Sequence, residues 1–282
     1  MSSPEQPETV DWRRPAVAFL LFGGDAPAAA DVEALLHEVF DESYAVTPAH
    51  GDEPVSITIE DATVVVQPVD GPAGDGEPAR FTGELAIWNG GEDVVDGHRS
   101  HLVVGAERIG TEGEPPEEMD PRLEALRCEL AVAHVTAALT ALPGALAVFL
   151  PTAAATLPAA PYRDIVVSNP IPVPALVGVR AGWFEEGRPY VYTSGLGRFG
   201  RPDMERFATE GHPGEAYGQM CDLLAFSLGT GTVFQPGQTL EVAEGEYLGV
   251  TAGVSEATGW EVLQLAPVDA PPAEAPSTEA PF

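Results

Sequence analysis

Two carboxylates two residues apart, Asp203 and Glu205, follow the glycine-rich run Thr193-Ser194-Gly195-Leu196-Gly197-Arg198-Phe199-Gly200. No other stretch brings residue types this close to chemistry. In an extended segment, side chains at i and i+2 point the same way, and neighbouring carboxylates raise one another's pKa or bind a hard cation through oxygen. On a helix the same pair does not share a face, and acids in a first turn are favoured by the macrodipole alone. Pro202 directly precedes them. We therefore expect a short helical turn starting near Pro202 and carrying Asp203 and Glu205. Arg198 and Arg201 are close enough in sequence to neutralise the two acids, which weakens the case for a cation site.

Gly195, Gly197 and Gly200 also match G-x-G-x-x-G after a predicted strand at 188–193. The dinucleotide-binding context is missing. Pro202 stands where the helix should be under way, and no return strand ending in an acid follows about twenty residues on. The glycines read instead as suppliers of positive φ and close backbone approach. His98 and His101 are three apart at the entry to a strand, so they face opposite sides, and neither cysteine is near them in sequence. His134 lies on an apolar helix and reads as a core residue, while His37, His50 and His212 read as surface residues. The chain has no lysine, no G-x-S-x-G elbow and no phosphate-binding G-x-x-x-x-G-K loop, which removes Schiff-base and lysine–phosphate chemistry. Tyr190, Tyr192, Trp183 and Phe184 flank a predicted hairpin and could line a pocket. No cofactor and no metal is expected.

The run from Thr193 to Glu205 resembles the motif of a bacterial family, domain-of-unknown-function family 4261. That motif reads Thr-x-Gly-Leu, then Phe-Gly, then two acids separated by one apolar residue. The chain departs from the pattern in using Asp203 as the first acid and in placing Arg206 where the family is apolar. The resemblance covers roughly the last third of the chain and implies a bacterial protein without an assigned activity. Taken with the glycines and charges, it singles out Thr193, Gly195, Arg198, Phe199, Gly200, Asp203 and Glu205 for ligand or partner contact.

Composition bounds the partners. All 13 basic residues are arginine, and 44 acids bring the net charge to −31. A field of that sign repels phosphate backbones and anionic membrane surfaces, so neither nucleic acid nor membrane is an expected partner. It attracts cations and basic proteins, although solubility and the codon bias of a GC-rich genome are the simpler explanation. Cys128 and Cys221 sit in predicted helices as small hydrophobes, which fits a reducing compartment. The acidic, polar N-terminus carries no signal-like apolar segment, and a cytoplasmic protein is expected.

The elements that must position the motif follow from periodicity. An apolar strand at 16–22 leads to a helix at 31–40 with Val32, Leu35, Leu36 and Val39 on one face. Strands are predicted at 44–47, 55–60, 63–67, 84–88 and 101–105, with loops at 69–78 and 111–121. The strongest helix spans 122–142 and is followed by a strand at 145–150. The proline-rich segment 152–174 allows at most an edge strand at 164–167. A hairpin at 175–184 and 188–193, a helix at 214–228, and strands at 239–243, 247–254 and 260–265 complete the chain.

We expect an α+β fold of two ferredoxin-like sandwich layers with mostly antiparallel sheets. One unit should span 12–113 and the other 114–266, between disordered tails at 1–11 and 267–282. The leading functional reading is a non-enzymatic binding or regulatory protein. The rival is an enzyme or small-ligand binder with Thr193, Asp203 and Glu205 converging in a cleft.

Overall fold

The computed structural model describes residues 15–40, 44–47, 54–82, 88, 91–108, 120–184, 187–208 and 211–269. The fold is mixed α+β with two mostly antiparallel sheets. The first sheet contains β1 (Ala16–Phe22), β2 (Ala45–Thr47), β3 (Val55–Ile59), β4 (Ala62–Asp70), β5 (Ser100–Arg108), β6 (Ala145–Leu150) and β7 (Ala155–Pro158). Their order is β2-β3-β4-β5-β1-β6-β7, with every pairing antiparallel.

The unbroken apolar run of β1 suits a central strand covered on both faces. Ala18 and Leu20 enter one core and Leu21 the other. The larger core lies under α1 (Ala29–Val39), α4 (Pro121–Leu139) and α5 (Ala159–Ser168). On the opposite face Val95 packs with Leu21 and Phe149, in the region of the short helices α2 (Glu77–Arg80) and α3 (Gly91–Asp96).

The second sheet contains β8 (Gly178–Phe184), β9 (Arg188–Ser194), β10 (Met204–Phe207), β11 (Thr239–Ala243), β12 (Glu246–Val254) and β13 (Glu261–Val268), in the order β11-β12-β13-β10-β9-β8. Among the described residues, only the β10–β13 pairing of this sheet is parallel. The short helix α6 (Val173–Leu176) precedes this sheet and α7 (Pro213–Thr230) covers one face. Val179, Val191, Met204, Val250 and Leu263 pack there against Ala216, Met220 and Leu224 of α7. Helix α7 opens with a reciprocal cap: a His212 ring nitrogen accepts from the Gly214 amide, and the Glu215 carboxylate accepts from the His212 amide. His212 is exposed, as expected, and also starts a helix.

Helix α4 joins the two cores. Ala125 and Leu126, near its start, belong to the second core, the buried apolar residues from Cys128 onward belong to the first, and the partly buried Leu130 packs against the second. Apolar residues around most of its circumference are what such a shared helix requires.

Several expectations are corrected. Residues 164–167 are not an edge strand but part of α5, because Pro158 stands at the N-cap and Pro161 in the first turn, where a missing amide hydrogen costs nothing. Strand β4 continues to Asp70, shortening the predicted loop. Pro267 and Val268 of the predicted C-terminal tail pair with β12, and the rest of that tail, from residue 270, lies outside the described residues. The first sheet takes in β6 and β7, so the sheets divide the chain beyond residue 158 and not at 114. The N-terminal tail, the connector at 111–119, and all of the predicted strand at 84–88 except Trp88 lie outside the described residues.

Candidate functional site

Strand alternation fixes the motif's geometry. In β9, Val191 and Thr193 turn toward α7, while Tyr190 and Tyr192 turn to the other face. The Thr193 hydroxyl donates to Asp203 Oδ1 at 3.0 Å and accepts from the Met204 amide at 2.8 Å. Asp203 Oδ1 also accepts from the Leu196 amide at 3.1 Å. These bonds tie together the two ends of the glycine-rich loop. Within it, Leu196–Phe199 forms a 3-10 turn whose Leu196 and Phe199 are fully buried. Gly195 has φ +101°, and a Cβ there would lie 2.6 Å from the Thr152 carbonyl oxygen. Gly200 has φ +63° and lies against the Arg122 side chain. Both glycines are demanded by backbone shape.

Asp203 and Glu205 are not first-turn helix acids. Residues 204–207 form β10, which fills the space between β9 and β13, and Pro202 sits between the 3-10 turn and that strand. The two acids nevertheless do not converge. Glu205 is 1% exposed, and its carboxylate accepts from Ser255 Oγ at 2.8 Å, the Glu256 amide at 3.3 Å, and the Ala257 amide and Gln264 Nε2 at 3.4 Å each. It holds the turn at 255–258. Burial pushes the Asp203 carboxyl upward, while its bonds from Leu196, Thr193 and Gly195 and the charge of Arg180 draw it back.

The motif arginines do not neutralise this pair either. Arg198, 2% exposed, forms an ion pair with Glu129 of α4, which is also buried. Burial raises the Glu129 carboxyl to about 7 despite the opposing pull of Arg198. The hydroxyls of Tyr162 and Thr136 are buried in the same surroundings, and the Glu129 charge helps to raise the Tyr162 hydroxyl. Arg201 donates through Nε to Ser227 Oγ at 2.9 Å and through Nη2 to the Ser227 carbonyl at 2.8 Å. The small hollow between Arg201, Leu196, Leu224 and Phe234 has room for about one water. Arg206, where the resembled motif is apolar, does face α7. Its guanidinium meets Gln219 and, at 3.1 Å, Glu246.

The other face of the second sheet carries an aromatic row across three strands. Ring centroids lie 5.0 Å apart for Phe184 and Phe207, 4.9 Å for Phe207 and Tyr190, and 5.3 Å for Tyr190 and Tyr192. The exposed Arg188 guanidinium sits 5.2 Å from the Phe207 centroid and 5.7 Å from that of Phe184. Arg180, buried, lies 5.6 Å from Tyr192 and donates to Ser194 Oγ at 2.7 Å and to the Ala154 carbonyl. Trp183 is 57% exposed and meets the His212 ring edge-on.

His98 and His101 both address the loop after β4. His98 Nε2 accepts from the Ala73 amide at 2.8 Å, so its Nδ1 carries the proton and donates to the Val95 carbonyl. His101 Nδ1 bonds the Gly71 carbonyl at 3.0 Å, and burial lowers its pKa. Among the described residues, no group of three or more His, Cys, Asp or Glu is placed to hold a metal. Burial pushes the Cys221 thiol up to about 12. No helix among the described residues is long and apolar enough to cross a membrane.

The structure thus brings Thr193, Gly195 and Asp203 together, sends Arg198 to α4, and gives Glu205 to a separate turn. Sequence reasoning missed Glu129, Arg180, Arg188, Phe207 and Ser255. The signals were an acid set among apolar residues in the middle of α4, and an aromatic residue two positions beyond Glu205 on the same strand face. Compared with known proteins, the chain matches no family model, no curated protein and no solved structure.

Proposed function

We propose that this chain acts by binding, and that its partner is a basic protein held at the aromatic face of the second sheet. The observation that carries this reading is the row Phe184, Phe207, Tyr190 and Tyr192 with the exposed Arg188 guanidinium lying over it, on a chain of net charge −31. The rings already accept one cation, and the overall charge draws in others. Asp203, Glu205 and Arg198 are each engaged within the fold, which favours a structural part for the motif. The convergence of Thr193 and Asp203 is what supports the rival reading of a small-ligand site at Thr193, Asp203 and Glu205. The antiparallel order β6-β1-β5-β4, with α1 and α4 on one face, supports a ferredoxin-like reading of the first sheet. We place the protein in the cytoplasm from its cysteine usage and charge.

A short alternating Arg-Val peptide and its Glu-Val counterpart test the partner class, titrated onto the full chain at about 50 and 200 mM salt. The basic peptide should bind more tightly at low salt, and Arg188→Gln, which vacates the ring face, should tighten it several-fold. Equal binding of the two peptides, or weakened binding by Arg188→Gln, would overturn the reading.

A further inference from the structure

We infer that the basic partner docks in extended form, as an added strand on the free edge of β8. This rests on the function proposed above and specifies its geometry. Among the described residues, the sheets end in four edge strands. Three are guarded: β2 has three residues, β7 has four, and β11 has a register shift and the exposed acid Glu241, with the exposed Glu244 in the turn that follows. Short strands, irregular register and charge are the usual protections of an edge.

Strand β8 has seven residues, and among the described residues no second strand pairs with it beyond β9. Only its first half is covered. Ser194 Oγ donates to the Ala153 carbonyl at 2.9 Å and Arg180 reaches the Ala154 carbonyl, closing the neighbourhood of Gly178 and Arg180. The second half, Ala181, Gly182, Trp183 and Phe184, carries no charge. A side chain added at Gly182 would meet nothing within 4 Å. Trp183 and Phe184 project to opposite faces of this stretch, so a strand laid beside it would have an aromatic contact on each side.

Charge selects the occupant. Pairing β8 with β8 of a second copy would bring two bodies of net charge −31 together. A basic strand meets the opposite sign, and its alternate residues fall beside Phe184, where Arg188 already lies over the ring. Main-chain hydrogen bonds would give affinity and the ring contacts would give preference for cations.

The test uses the full chain and the alternating Arg-Val peptide in three forms: unmodified, N-methylated on its odd amides, and N-methylated on its even amides. A strand added at one edge donates from only one alternate set, so one methylated form should bind at least about tenfold more weakly than the unmodified peptide. Gly182→Lys, which places a charge in open space on the edge, should weaken binding similarly while Gly182→Ala does not. Unchanged binding of both methylated forms overturns strand addition and leaves the proposed function standing. Absence of binding by the unmodified peptide overturns that function itself.

Discussion

Exchanging the Glu129–Arg198 pair for apolar side chains tests how the motif is held to the rest of the fold. Both residues are almost fully inaccessible, so each charge has lost its hydration and depends on the other. Glu129→Leu, which leaves the Arg198 guanidinium buried alone, should cost about 3–5 kcal/mol, whereas Arg198→Met should cost less because the Glu129 carboxyl, already raised to about 7, can take up a proton. The double replacement should be neutral or stabilising by about 1–4 kcal/mol, since a well-packed apolar pair avoids both desolvation penalties. The pH dependence has a definite sign. The Glu129 carboxyl rises in the folded chain from 4.5 to about 7. Between those values the folded state keeps a proton that the unfolded state has released, so stability falls as pH rises. The contribution is fully present below the unfolded value and is lost as pH climbs through about 7. A shift of this size is worth about 3 kcal/mol. Urea unfolding of the wild type and Glu129→Gln between pH 4.5 and 8 isolates it, because the other acids cancel in the difference. The Gln variant should gain relative to wild type as pH rises. A flat difference, or single variants as stable as the double, would refute the reasoning.

Glu205→Gln should lower stability by about 1.5–3 kcal/mol, as measured by chemical denaturation, with amide exchange accelerating at 255–258, because the charged acceptor holds that turn. Millimolar calcium or magnesium should leave the melting midpoint of the wild type unchanged, since Asp203 and Glu205 face different anchors; a metal-induced rise would restore the cation-site reading. Gly195→Ala should cost well over 1 kcal/mol, because positive φ and the nearby Thr152 carbonyl both oppose a side chain. Gly200→Ala should cost less, because the Arg122 side chain can move aside, and comparative melts of the two variants check the order.

Periodicity made most of the fold legible. The helical face of Val32 and Leu36, the hairpin about Glu60 and the long apolar helix all stand where their spacing predicts them. Composition misled where proline has two meanings. Pro158 and Pro161 argued against regular structure but begin a helix, and Pro202 suggested a helix start where a strand follows. Gly195 and Gly200 were legible as backbone positions because positive φ is a local demand, whereas Gly197 sits inside the 3-10 turn without positive φ. The partners of its charges were not. Glu129 lies far from Arg198 in sequence, and Ser255 far from Glu205, so only the packing of α4 and the parallel β10–β13 pairing brings them together.

The central position of β1 also governs how the chain can fold while it is being made. This strand leaves the ribosome well before its neighbours in the sheet, β5 and β6, whose last residues are Arg108 and Leu150. Until then AVAFLLF has no lateral partner, and such distant pairings close slowly. The nascent chain therefore carries an unpaired hydrophobic strand until β5 has been made, which is the kind of segment that chaperones shield and that aggregates when translation outpaces their supply.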